Sequence, residues 1–208
     1  MLNASDYSVP QDRKRVFFIG YRRDLGKKFE FPMPHQTQLT LEDAIWDLKD
    51  NVVPAGEGNY KNMACKVPNH EYFTGGFSSI YMSRNRVRSW DEVSFTIQAG
   101  GRHAPLHPQA PKMELVERDV RRFIPGFEHL YRRLSVRECA RIQTFPDDFI
   151  FKYKNVAAGY KMIGNAVPVK LGEALASRIR KDLFSESGKV TGQVNFSKQE
   201  SSKSFINA

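Results

Sequence analysis

The apolar run Val16-Phe17-Phe18-Ile19-Gly20-Tyr21 constrains the fold more than any other stretch of the chain. Gln11-Asp12-Arg13-Lys14-Arg15 precedes it and Arg22-Arg23-Asp24 follows it. A short unbroken apolar run between charges reads as a buried strand that ends at a turn. Such a strand needs hydrogen-bonded neighbours and apolar cover on both faces. Only fifteen residues precede it, too few to supply them. The expectation is that this segment belongs to the interior of a larger α/β fold. The material for a core is present. Hydrophobic residues make up 40% and aromatics 12% of the 208, which excludes a wholly disordered chain.

Beyond this run the pattern changes. Thr40 to Leu48 reads as a helix, with Thr40 as cap, Asp43 three residues on, and Ala44, Ile45 and Leu48 on its apolar face. Between Asn51 and Gly101, Gly, Pro and Asn recur at short intervals. Ser79 to Met82 and Ser94 to Gln98 have β-like composition there, so a small β-rich domain with long loops is expected. Ser135-Val136-Arg137-Glu138 is a capping box that opens a helix, which Pro146 stops. A last helix runs from Pro168 to about Phe184, with Leu171, Leu175, Ile179 and Leu183 on one face. The segment 185–208 is polar and aperiodic and is expected to be mostly disordered.

Charge and composition narrow the partners. Thirty-two Lys and Arg against 23 Asp and Glu give a formal net charge of +9. This balance favours a polyanion, nucleic acid before membrane, because no basic amphipathic helix is evident. No apolar run approaches the roughly 20 residues of a membrane span. Cys65 and Cys139 make neither a disulfide framework nor a metal cluster. His35, His70, His103, His107 and His129 show no metal-ligand spacing, so no metal is expected. Cys139, Trp46 and Trp90 read as core residues.

Three segments carry specific signals: Gln11 to Arg15, Arg133 to Asp147 (RLSVRECARIQTFPD), and Tyr160 to Pro168 (YKMIGNAVP). In this order, with a long variable region between the first two, they resemble the last three motifs of the DNA cytosine-5 methyltransferases. The resemblance covers residues 2 to 183. Within the variable region, Tyr81 to Arg88 (YMSRNRVR), Gln98 to Arg102 (QAGGR) and Leu106 to Pro111 (LHPQAP) are similar to the HaeIII-type subgroup, which methylates the internal cytosine of GGCC.

The resemblance implies an α/β fold: the C-terminal part of an S-adenosylmethionine-dependent methyltransferase plus a small β-rich target-recognition domain. The last strands of the catalytic domain would occupy residues 1–39, the recognition domain 40–133, and helices returning to the catalytic domain 134–184. It assigns Arg15 to the oxygen O2 of the flipped cytosine, with Arg13 beside that pocket and Gln11 ordering the strand end with it. The alternative is that Arg13 and Arg15 form a solvated edge. Arg84, Arg86 and Arg102 match base-reading positions, as a guanidinium meets both O6 and N7 of guanine. Arg88 reads a base or holds phosphate. Thr96-Ile97 resembles a recognition-domain pair and equally fits core. Asn165 and Ala166, in a loop before the last helix, would line the S-adenosylmethionine pocket or simply cap a helix.

Other elements of that family are not found in the sequence. Cys65 follows Ala64 and Cys139 follows Glu138, whereas the family's nucleophile follows proline. The Glu-Asn-Val motif and the Gly-rich cofactor loop are also missing. The expectation is the C-terminal part of a cytoplasmic, bacterial restriction–modification methyltransferase. It would act on double-stranded DNA, GGCC by resemblance, and be inactive without a complementary N-terminal chain. A split enzyme, a truncated gene product and a piece of a longer protein all remain open. The rival reading is a sequence-specific DNA-binding module without catalysis.

Overall fold

The computed structural model describes residues 1–35 and 37–184, so the segment 185–208 expected to be disordered lies outside the described residues. Strand β1 (Leu2–Asn3) pairs antiparallel with β2 (Lys14–Arg15). Helix α1 (Leu41–Ile45) follows, continued by a 3-10 turn Trp46–Leu48. Strands β3 (Val53–Pro54) and β4 (Glu71–Tyr72) form a parallel pair, and α2 covers Ser79–Met82. A hairpin joins β5 (Glu114–Glu117) to β6 (Val120–Arg122). Helices α3 (Val136–Ile142), α4 (Val156–Asn165) and α5 (Val169–Phe184) complete the chain as described.

Three apolar clusters hold these elements. The largest joins Leu41 and Ile45 of α1, Ile97 and Ala104 of the connecting loops, Cys139, Ala140 and Ile142 of α3, and Tyr160 and Ile163 of α4. A second packs Tyr81 of α2 with Val87, Leu106, Met113 and Tyr131. The third seats Ala4, Tyr7 and Val9 on Leu171 of α5. Burial is non-directional, so these short elements are fixed by contact rather than by long ladders.

Local signals held where they were self-contained. Thr40 caps α1 with a reciprocal bond to Asp43, and Ser135 caps α3 with Glu138 in the same way. Residues 169–184 are helical, with Leu171 and Leu175 buried. Four expectations need correction. Val16 to Tyr21 is not a strand: ladder pairing stops at Arg15, and among the described residues no strand lies beside the run. Ser79 to Met82 is helical, because the Ser78 hydroxyl accepts from Tyr81 N and Tyr81 is buried in the second cluster. Ser94 to Gln98 forms no strand and makes only one isolated bridge, Gln11 with Ser94. Trp46 is 45% exposed, edge-on to Trp90 at 4.9 Å.

Candidate functional site

Gln11 to Arg13 lie where three parts of the chain meet. Asp12 N donates to Ser94 O at 2.8 Å and Ser94 N to Pro10 O at 2.9 Å, which lays this segment along residues 94–98. Thr96 Oγ1 donates to Asp12 O at 2.6 Å, and Ile97 N donates to Gln11 Oε1 at 3.1 Å. Arg13 is 4% exposed; its guanidinium donates to Ile97 O at 3.0 Å, Gly164 O at 2.8 Å and Ala166 O at 3.2 Å. Two of those acceptors end α4, where the helix dipole is negative and suits a cation. Burial, then the charge of Arg15, lower the Arg13 pKa to about 10. Arg13 is therefore a structural tie between residues 94–98 and α4, not a solvated edge. Gln11 is fully buried in the same junction. Arg15 is exposed, and its hydrogen bond goes to the carbonyl of its neighbour Lys14.

The end of α4 depends on a glycine. A Cβ at Gly164 would lie 2.5 Å from Ala99 N and from Gln98 O, so only glycine lets the helix approach this loop. Gly164 and Asn165 are helical rather than part of a loop, and Ala166 is the C-cap. Asn165 is exposed and its side chain makes no hydrogen bond among the described residues. A glycine inside the helical run VAAGYKMIGN was the sequence signal for this contact, since it lowers helix propensity by about 1 kcal/mol against Ala.

The arginines of the variable region divide by environment. Arg84 and Arg102 are exposed and, among the described residues, make no hydrogen bond or ion pair. Arg86 is half-buried; it donates to Tyr81 O at 2.9 Å and Ile80 O at 3.2 Å, and lies over the Tyr81 ring. Arg88 pairs with Glu92 at 2.9 Å and covers Phe95. Arg86, Asp12, Phe95, Thr96, Gln98, His103 and Pro105 line a cleft of about 210 Å³. The structure thus brings Arg86 and Thr96 to the Asp12 segment, next to the Arg13 junction. Arg102 instead borders a second cavity of about 350 Å³ with Gly75, Gly76, Phe77, Ser78 and His103.

Behind this face lies a buried network that sequence reasoning missed. Arg132 makes two bonds to Glu138, at 2.8 and 2.7 Å, with both side chains almost wholly buried. Burial raises the Glu138 pKa and Arg132 outweighs it, holding the carboxyl near 2. His107 Nε2 lies 3.5 Å from Glu138 Oε1. The signal was two arginines just before a helix N-terminus, where the dipole repels cations and demands a counter-charge. Cys139 is fully buried with its thiol pushed well up by desolvation. Burial, then Glu71, push the Cys65 thiol up to about 11. Among the described residues no cluster of His, Cys, Asp or Glu could hold a metal ion, and no helix is long and apolar enough to cross a membrane.

A family model for C-5 cytosine-specific DNA methylases matches residues 1–181. The chain belongs to this family. It is 68% identical over 184 residues to the Type II methyltransferase M.MthTI of Methanothermobacter thermautotrophicus, covering 88% of this chain and 56% of that protein. It is 56% identical to M.NgoPII of Neisseria gonorrhoeae, covering 88% of this chain and 54% of the relative. The chain thus spans about half the length of the curated relatives it matches. The fold is similar to a crystal structure described as a DNA modification methyltransferase encoded within an E. coli prophage. That likeness has a TM-score of 0.58 and 19% identity, over 88% of this chain and 59% of the other. Both curated relatives carry the name Type II methyltransferase, in keeping with the family match.

Proposed function

We propose that the chain is the target-recognition and C-terminal part of a cytosine-5 methyltransferase that acts on GGCC in double-stranded DNA. The observation that carries the reading is the division among its arginines. Arg13, Arg132 and Arg133 are buried and committed to internal acceptors. Arg84 and Arg102 stand exposed and unpaired, in the two segments that resemble the GGCC readers. An unpaired exposed guanidinium is free to meet O6 and N7 of a guanine, and GGCC offers four guanines over both strands. Arg86 and Thr96 supply the cleft wall, and Arg88, paired with Glu92, steadies it. Residues 40–133 form the recognition part in this reading.

The Arg13 junction sets the geometry between reading and chemistry. It fixes the Gln11–Arg15 segment against Thr96-Ile97 and against the end of α4. Arg15 then projects from a rigid base, free to polarise the cytosine O2 and withdraw charge from the ring. Asn165, exposed with an uncommitted amide, fits a contact to the amino-acid end of S-adenosylmethionine, which supplies the methyl group on a sulfonium. Ala166 spends its carbonyl on Arg13 and meets the cofactor through its side of the loop alone. Neither cysteine suits the thiolate role. Cys139 is sealed in α3, and Cys65 is held protonated. The nucleophile is then supplied from outside these 208 residues, by an N-terminal portion of the enzyme.

The experiment is binding of the chain to a GGCC duplex and to a scrambled duplex across a salt series. Arg84→Ala and Arg102→Ala should each cost about 1–3 kcal/mol on GGCC and little on the scrambled duplex. Equal losses on both, with the salt slope flattened by about one ion, would show phosphate contacts and end the recognition assignment.

A further inference from the structure

The wall behind Arg102 is held by one buried cation. We propose that Arg133 is a specificity-determining positioning residue: by gripping the Gly75–Gly76 turn it fixes the cavity from which Arg102 reads DNA. The proposal rests on the reading of Arg102 given above.

Arg133 is 2% exposed and has no carboxylate partner among the described residues. It donates from Nη1 to Gly75 O at 2.6 Å and from Nη2 to Gly76 O at 2.8 Å. Three rings surround it, with centroids 4.1 Å away for Phe77 and 5.3 Å for Phe73 and Tyr81. A buried guanidinium compensated only by carbonyls and ring faces is costly. It can persist only if those acceptors are held still, and in turn it holds them. The same Phe73 ring ties this turn to Arg102. A Cβ at Gly101 would lie 2.8 Å from Phe73 Cδ2, and one at Gly75 would lie 2.9 Å from Phe73 Cζ. Both glycines therefore lie close against one side chain; Gly75 lines the cavity of about 350 Å³, and Gly101 directly precedes Arg102, which lines it too.

The backbone repeats the link. Leu106 and Arg133 form an antiparallel bridge, and Leu134 N donates to Pro105 O at 2.9 Å, just beyond the 3-10 turn Gly101–His103. Electrostatics adds direction. Burial lowers the Arg133 pKa, and the positive charge of Arg102 acts on it in the same sense. Like charges favour the arrangement observed, in which Arg102 extends to solvent.

The test uses the full chain. Arg133→Lys keeps the charge and the stem but replaces a two-pronged donor by a point charge. Amide exchange read by mass spectrometry should quicken about tenfold in segments 74–78 and 100–104 while α3 and α4 keep their protection. The affinity ratio of GGCC to scrambled duplex should fall about tenfold, with the scrambled affinity within about twofold. On an Arg102→Ala background the same substitution should lower the ratio no further, because it acts through Arg102. Phe77→Leu removes the nearest ring and leaves both carbonyl bonds. It should quicken the same two segments by a smaller factor, and it decides the matter if Arg133→Lys does not fold. Unchanged exchange in those segments overturns the proposal, as does quickening spread evenly over α3 and α4. An unchanged duplex ratio in Arg133→Lys ends the specificity role. A wild-type ratio of one overturns the GGCC reading and the specificity claim together, while exchange separately decides whether Arg133 holds the turn.

Discussion

At His107 burial decides the charge. The ring is fully buried, packed edge-on to Trp90, and its Nε2 lies 3.5 Å from the Glu138 carboxylate. Burial lowers its pKa to about 4; attraction to Glu138 opposes this, and Arg132, already paired with that carboxylate, works against it. His107 is therefore neutral in the folded chain at pH 7, and its contact with Glu138 is not an ion pair there. In the unfolded chain it protonates near 6.5. Between those values the unfolded state binds more protons, so stability is full above about pH 6.5 and falls as pH drops towards 4. The gap sets an upper bound of about 3 kcal/mol on this share. Denaturant unfolding of the wild type between pH 7 and 4 should show the loss, and His107→Gln should flatten it. Equal slopes would show that His107 charges freely in the fold. The sequence could not reveal this, since one histidine carries no sign of its burial. Arg13 is similar: QDRKR showed two arginines of equal standing, and only the approach of Gly164 to Gln98 separates the buried tie from the exposed Arg15.

At the scale of the element, both capping boxes were legible, because a cap needs only residues three apart. Their surroundings were not. Thr40 is only half-buried, and its bond from Asp43 N is 3.4 Å long. Ser135 is fully buried; it accepts from Glu138 N at 3.0 Å and lies 2.8 Å from His70 Nδ1. His70 Nε2 meets Leu48 O, which can only accept, so the proton sits on Nε2 and the Ser135 hydroxyl donates to Nδ1. Thr40→Ala should cost about 1 kcal/mol. Ser135→Ala leaves two buried groups without partners and should cost about 2–4 kcal/mol. Thermal unfolding of the two variants checks the order, and equal losses would refute the account of the Ser135 network. The β-like readings failed for a related reason. In Ser79 to Met82 a four-residue apolar pattern fits strand or helix alike, and the Ser78 cap with Tyr81 buried decided it. Ser94 to Gln98 forms no ladder; it is pinned instead by Gln11 and Asp12.

Across the whole molecule, Val16 to Ile19 shows what the sequence expressed and the fold leaves open. Phe17 packs on the cluster of Ala4, Tyr7, Val9 and Leu171, while Val16 is 61% and Phe18 95% exposed. The alternation is that of a strand with one face covered and one bare. A bare apolar face beside an unpaired backbone edge is suited to receiving another strand. In the proposed reading that strand comes with the N-terminal portion that also supplies the nucleophile. The purified chain should therefore transfer no methyl group to GGCC DNA and should bind a hydrophobic dye. Adding a complementary N-terminal chain should restore transfer and suppress the dye signal together, because one docking event does both. Phe18→Lys separates this from general stickiness. Its side chain touches little in the chain, so the thermal transition should move by less than about 1 kcal/mol. Docking should weaken strongly, since the lysine charge would be buried against apolar surface. Restoration of activity by Phe18→Lys at the wild-type dependence on partner concentration would show that the partner docks elsewhere. Methyl transfer by the chain alone, unaffected by replacing both Cys65 and Cys139 with Ser, would overturn the division of labour itself.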